Sequence, residues 1–142
     1  MLLGLLAAEI TACTGRDPSE IYGDLTSELG TPIYQRTDVA ATSRQRATLK
    51  SLQPNAVSLT QLAGEPIIAV ENQAPGSGEP LGGLRVRAQN GWFAARPSGT
   101  EDIYKIYAES FLGPEHLERI QSEAEDLISE LFDKAALAEG QG

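Results

Sequence analysis

Leu84-Arg85-Val86-Arg87-Ala88-Gln89-Asn90-Gly91-Trp92-Phe93-Ala94-Ala95-Arg96 places two alternating runs on either side of an Asn-Gly pair. Asn-Gly between alternating apolar runs is the strongest short-range signal for a β-hairpin. A two-residue turn at Asn90-Gly91 sets Gln89 against Trp92, and pairing outward predicts Ala88 on Phe93, Val86 on Ala95 and Leu84 on Pro97. Facing residues share a side of the sheet, so this apolar set points to a core. The other side then carries Arg87 opposite Ala94 and Arg85 opposite Arg96. Three arginines on one face, two of them paired, are costly without an anion between them.

The second strand of this hairpin runs into Arg96-Pro97-Ser98-Gly99-Thr100-Glu101, with Lys105 four residues on. Arg96 offers a planar fork of donors to two phosphate oxygens. Ser98 and Thr100 each offer a rotatable hydroxyl. Gly99 lets backbone N–H groups approach an oxyanion unobstructed, and Lys105 adds an ammonium. Pro97 fixes one φ and so lowers the entropy of holding the loop ready. Glu101, a carboxylate that would repel phosphate unless paired, is placed behind the contact as a brace, as is Arg85. The competing reading of the loop is a polar turn that happens to contain an arginine. Arg85 and Arg87 could equally be solvated strand residues, or Arg87 a partner of the acidic last helix. Trp92 reads as a half-buried strand-end aromatic and His116 as an exposed residue in the first turn of a helix.

Outward from the hairpin, strands are predicted at Thr31–Val39, Ile67–Glu71 and Ile103–Glu109. A helix over Leu2–Thr14 stops at Gly15. Asp17-Pro18-Ser19-Glu20 then opens a second with a cap residue, a first-turn Pro and a capping Glu, and Gly30 ends it. A third starts near Thr42, with Gln45 three residues later, and runs to Leu52 before Pro54. A short helical turn is predicted at Leu59–Ala63. Pro114 opens the last helix, where Leu117, Ile120, Ala124, Leu127, Ile128 and Leu131 form one apolar stripe. This order predicts an α+β fold: a mainly antiparallel sheet of about four strands with helices packed on one face.

At 142 residues the chain is long enough for one core-bearing domain. A net charge of −9 argues against nucleic acid as partner, since backbone binding needs clustered Lys and Arg. One cysteine excludes an internal disulfide and fits a reducing, cytoplasmic compartment. Cys13 and His116 are too distant in sequence to suggest a metal cluster. The apolar run Leu2–Ala8 before Cys13 has the outline of a lipoprotein leader. However, no Lys or Arg precedes it, Glu9 interrupts it, and it is too short to cross a bilayer, so a buried helix and no membrane role are expected.

The loop Arg96–Glu101 also resembles the phosphate-binding loop of the α-D-phosphohexomutases, in which the C-terminal domain grips the substrate phosphate that is not being transferred. The flanks Asn90–Ala95 and Asp102–Phe111, and the segment Leu5–Thr11, resemble the bacterial glucose-phosphate branch of that family. Asp102 and Lys105 replace the Pro and Arg that follow the loop in many mannose and hexosamine relatives. The resemblance implies substrate-phosphate contacts at Arg96, Ser98, Gly99, Thr100 and Lys105, with Pro97, Glu101 and Arg85 behind them. It implies interconversion of glucose 1-phosphate and glucose 6-phosphate through a phosphoserine and glucose 1,6-bisphosphate. The phosphoserine, the Mg²⁺ loop and the sugar-reading loop of such an enzyme have no counterpart in this sequence, so no catalytic or metal residue is expected here. Upstream domains of the same enzyme would supply them, with Mg²⁺ as the cofactor of the whole. Residues 1–30 would then be the end of the preceding domain, 31–137 the phosphate-binding domain and 138–142 a frayed tail. The alternative is a stand-alone phosphate-recognition or interaction module without catalysis.

Overall fold

The computed structural model describes residues 2–139 and divides between Pro32 and Ile33 into two compact units. The first holds α1 (Leu2–Thr14) and α2 (Pro18–Leu29), neither of which buries a residue. Asp17 caps α2: its carboxylate accepts the Ser19 N–H at 2.8 Å while Glu20 reaches back to the Asp17 N–H at 3.3 Å. Both partners of the capping box predicted from Asp17 and Glu20 are thus in place.

The second unit opens with β1 (Ile33–Ala40), then α3 (Ser43–Ser51) and a 3₁₀ turn at Pro54–Ala56. A small ribbon of β2 (Gln61–Leu62) and β3 (Glu65–Pro66) follows. The chain continues through β4 (Ala69–Gln73), β5 (Pro80–Arg87), β6 (Gly91–Pro97), β7 (Ile103–Ser110) and α4 (Pro114–Glu139). The main sheet is antiparallel, in the order β1-β7-β6-β5-β4. It has five strands, one more than expected.

Strict alternation along β7 decides its two faces. Tyr104, Ile106, Ala108 and Ser110 are buried, and the intervening residues are half-buried. With Leu84, Val86, Phe93 and Ala95 they form the floor on which α3 packs over β5 and β6, and α4 over β6, β7 and β1. The predicted stripe of α4, from Leu117 to Leu131, is buried in full. Thr42 and Gln45 form the expected capping box of α3, whose Leu49 is fully buried. Among the described residues of this unit, the opposite face of the sheet carries no helix, which gives the two-layer α+β arrangement predicted.

The hairpin register differs from the expected one by two residues. Val86 pairs with Phe93, Arg85 with Ala94 and Leu84 with Ala95. The Ala88 N–H bonds the Gly91 carbonyl at 2.8 Å, so Gln89-Asn90 is the connection and Gly91 already belongs to β6. A two-residue shift leaves every side chain on its predicted face, because the pleat has period two. It does move Arg85 away from Arg96. The cause is tertiary. Asn90 donates its N–H to Glu65 at 3.0 Å and its side-chain amide to the same carboxylate, and its carbonyl accepts the Phe111 N–H at 2.9 Å. At Gly91 a Cβ would stand 2.5 Å from Ile120 Cδ1, so the glycine is there to let α4 approach. Neither Asn90 nor Gly91 has the left-handed φ that a type I′ turn requires.

The short helix expected at Leu59–Ala63 is instead the β2–β3 ribbon, turned by Ala63 and Gly64 at φ 51° and 86°. The strand expected at Ile67–Glu71 begins two residues later. His116 is buried, not exposed. Its Nδ1 lies 2.8 Å from the Ser110 hydroxyl and its Nε2 3.7 Å from Glu65, because the first turn of α4 is pressed against the hairpin end at Gly91. Of the tail, Ala138 and Glu139 belong to α4, and residues 140–142 lie outside the described residues.

Candidate functional site

β6 delivers Arg96 to the end of the helix-free face, opposite Lys105 of β7, and the loop from Ser98 to Asp102 joins the two strands. A Ser98 N–H to Ile103 carbonyl bond of 3.0 Å closes it. The aliphatic stem of Arg96 crosses Gly83, where a Cβ would lie 3.0 Å from Arg96 Cγ and 2.1 Å from the Ala95 carbonyl oxygen. Only glycine allows that approach of β5 to β6. Gly82, at φ 68°, leaves the space in which the guanidinium sits. Arg96 is exposed, and among the described residues it has neither an ion pair nor a hydrogen bond.

The loop itself is braced from both sides. The Ser98 hydroxyl donates to Glu101 at 3.2 Å and accepts the Glu101 N–H at 3.3 Å. Lys105 Nζ sits 3.1 Å from the same carboxylate. The hydrogen bond and charge of Lys105, followed by the Ser98 hydroxyl, hold the Glu101 carboxyl below the usual range. On the other side Arg46 of α3 places Nη2 2.6 Å from Asp102 and 3.2 Å from the Ser43 hydroxyl, with Nη1 3.4 Å from the Ser98 carbonyl. Its Nε is buried without a partner.

A cleft of about 450 Å³ lies between α3 and this loop. Arg96, Pro97, Ser98 and Gly99 form one wall, with Gly82, and Arg46 and Lys50 stand on the other. Thr100 and Lys105 are predicted site residues that do not line it. Thr100 is exposed at the loop tip, and Lys105 stands on the helix-free face with its ammonium on Glu101. Arg85 is placed elsewhere. It and Arg87 converge on Glu71 of β4, with contacts of 2.7 Å and 3.1 Å to one carboxylate oxygen. The anion expected among three arginines is therefore an internal carboxylate for two of them, and Arg96 alone is left open. Arg87 pairs with β4 rather than with the acidic helix. Trp92 is half-buried, its indole N–H donating to Glu109 at 3.1 Å.

Burial raises the Glu71 carboxyl, but the hydrogen bonds and charges of Arg85 and Arg87 together outweigh it and hold it below its ordinary value. A depressed folded value stabilises the fold above the unfolded carboxylate range, about 4.3, and the gain is lost as pH falls through the lower folded value. Glu71→Gln is therefore expected to lower stability near neutrality and to converge with the parent in acid. Unfolding midpoints measured across that range check it, and a constant difference at all pH values would contradict it.

Sequence reasoning missed the contributions of α3 and of Gly82-Gly83. The basic pair Arg46 and Lys50 at i, i+4 was the available signal. Nothing local ties it to a loop some fifty residues away, so only the packing of α3 on β5 and β6 reveals it. Among the described residues no group of His, Cys, Asp and Glu converges to hold a metal, and no helix is long and apolar enough to cross a membrane.

An antiparallel sheet with helices on one face defines an α+β domain, in which Arg96 at the end of β6 is unpaired among the described residues beside a Ser-Gly loop. Residues 43–127 match the sequence profile of "Phosphoglucomutase/phosphomannomutase, C-terminal domain", and the chain belongs to that family. The phosphoglucomutase of Komagataeibacter xylinus is 58% identical over 136 residues, which is 96% of this chain and 24% of that protein. The chain thus spans about a quarter of the length of that relative.

Proposed function

We propose that this chain is the substrate-phosphate-binding domain of a cytoplasmic phosphoglucomutase, which interconverts glucose 1-phosphate and glucose 6-phosphate through a phosphoserine and glucose 1,6-bisphosphate. The carrying observation is Arg96, a guanidinium without a partner among the described residues, in the cleft wall it shares with Ser98 and Gly99. The clamp comprises Arg96, Ser98, Gly99 and Thr100. Lys105 joins it by exchanging Glu101 for phosphate. Pro97 and Glu101 hold the loop in shape, and Arg85 supports the strand beside it through Glu71.

Such a clamp reads only a phosphate, so it accepts either end of the sugar phosphate while the other end reacts. Upstream domains of the enzyme supply the serine and the sugar contacts. Mg²⁺ would polarise the transferred phosphoryl group in the assembled enzyme. Its ligands belong to those domains, since Glu101 and Asp102, the carboxylates of this loop, are each held by a cation. Closure of this domain over the cleft would exclude water and protect the phosphoserine.

Each charged hydrogen bond nets roughly 1.5–3 kcal/mol, against about 4–15 kcal/mol for association. Four or five such bonds open to water on one side leave affinity on the order of millimolar. The chain alone is expected to bind phosphosugar weakly and not to turn it over. A coupled assay for glucose 6-phosphate checks this, with the chain alone and with the remaining domains of a full-length relative added. Turnover by the chain alone would contradict the proposal, as would no turnover in the completed enzyme.

A further inference from the structure

We infer that Lys50 of α3 is a further cation that receives the substrate phosphate, from the wall of the cleft opposite Arg96. The inference rests on the proposed phosphate role of the loop and adds a residue outside it. Arg46, Lys50, Arg96 and Lys105 stand about the loop and cleft, and Arg36, whose charge also reaches Glu101, is paired with Asp38 at 3.0 Å. Asp102 covers Arg46 at 2.6 Å and Glu101 covers Lys105 at 3.1 Å. Arg96 and Lys50 have no carboxylate among the described residues, and both line the same cleft. Two uncovered positive charges match a phosphate monoester, which carries about −1.5 to −2 at neutral pH.

The helix geometry supports the same assignment. Ser43, Arg46, Ala47 and Lys50 recur at three- and four-residue spacing and form the face of α3 that lines the cleft, while Leu49 is buried in the core. Arg46 ties that face to the loop through the Ser98 carbonyl and Asp102, one turn from Lys50. The root of Lys50 is thereby fixed relative to Arg96, and its ammonium is exposed and has no partner among the described residues. A rotatable point charge suits a phosphate presented by a sugar in two orientations, whereas the rigid fork of Arg96 sets the common anchor. Lys105 and Arg46 reach phosphate only by surrendering a carboxylate already in contact, an exchange that Lys50 does not need.

Titration of the 142-residue chain with inorganic phosphate, followed by amide shifts, tests this with Lys50→Met, Lys50→Arg and Arg96→Ala in parallel. Lys50 is exposed, so its variants retain the fold, and unchanged spectra away from the cleft verify that. Lys50→Met is expected to weaken binding about tenfold or more, and Lys50→Arg to restore most of it. A purely structural role for Lys50 would not give that recovery pattern without a change in stability. Parent-like affinity in Lys50→Met overturns the inference. If Arg96→Ala still abolishes binding in that case, the loop reading stands and only Lys50 is wrongly assigned. If Arg96→Ala also binds like the parent, both fail together.

Discussion

Arg96→Ala is expected to abolish measurable phosphate binding and to leave the fold intact. The side chain is exposed and holds no partner among the described residues, so its removal strands no buried group. Two parallel charge-assisted bonds to one phosphate are worth about 3–6 kcal/mol together, or roughly 10²–10⁴ in affinity. From a millimolar starting point that is complete loss over any accessible concentration. Arg96→Lys keeps the charge without the fork and should fall between the two. In an assembled mutase the same change should lower kcat/KM by about 10² or more, since the clamp holds the substrate through the transition state. The check is an amide-shift titration of both variants alongside thermal unfolding. Binding retained in Arg96→Ala would remove the site from this loop.

Phe93→Ala should cost about 3–5 kcal/mol of stability, a large share of the roughly 5–15 kcal/mol typical of a domain. Phe93 is fully buried at the centre of β6, paired with Val86 and Ala108 and covered by the helical layer. Its neighbours are strand residues that cannot collapse into the void without breaking the ladder. The same strand carries Arg96 three residues later, so loosening β6 should weaken the phosphate clamp as well as the fold. Urea or thermal unfolding measures the first effect and a phosphate titration below the midpoint the second. A cost under about 1 kcal/mol would mean the core is not organised around β6. Together the two substitutions separate the strand's roles: one is expected to remove binding alone, the other stability and binding.

The sequence was most legible where local chemistry and tertiary packing agree. Asp17 with Glu20 and Thr42 with Gln45 announce helix starts because a cap satisfies backbone donors within four residues, whatever lies beyond. The α4 stripe and the two faces of the hairpin follow from periodicity alone. Asn90-Gly91 misled on register because its local turn preference lost to Glu65, Phe111 and the approach of Ile120, none of which adjoins it in sequence. The loop's inventory of donors was readable from its own composition. The partners that decide which of its cations are free were not: Glu71 for Arg85 and Arg87, Glu101 for Lys105, and Asp102 for the unforeseen Arg46.

The central claim is that the Arg96–Glu101 loop reads phosphate irrespective of the sugar end that carries it. Amide-shift titration of the chain with inorganic phosphate, glucose 1-phosphate, glucose 6-phosphate and glucose tests it most directly. The three phosphates should perturb the same amides, from Arg96 to Glu101, with similar affinities on the order of millimolar, and glucose should perturb none. Shifts from glucose alone, different footprints for the two sugar phosphates, or no response at this loop up to tens of millimolar would contradict the account.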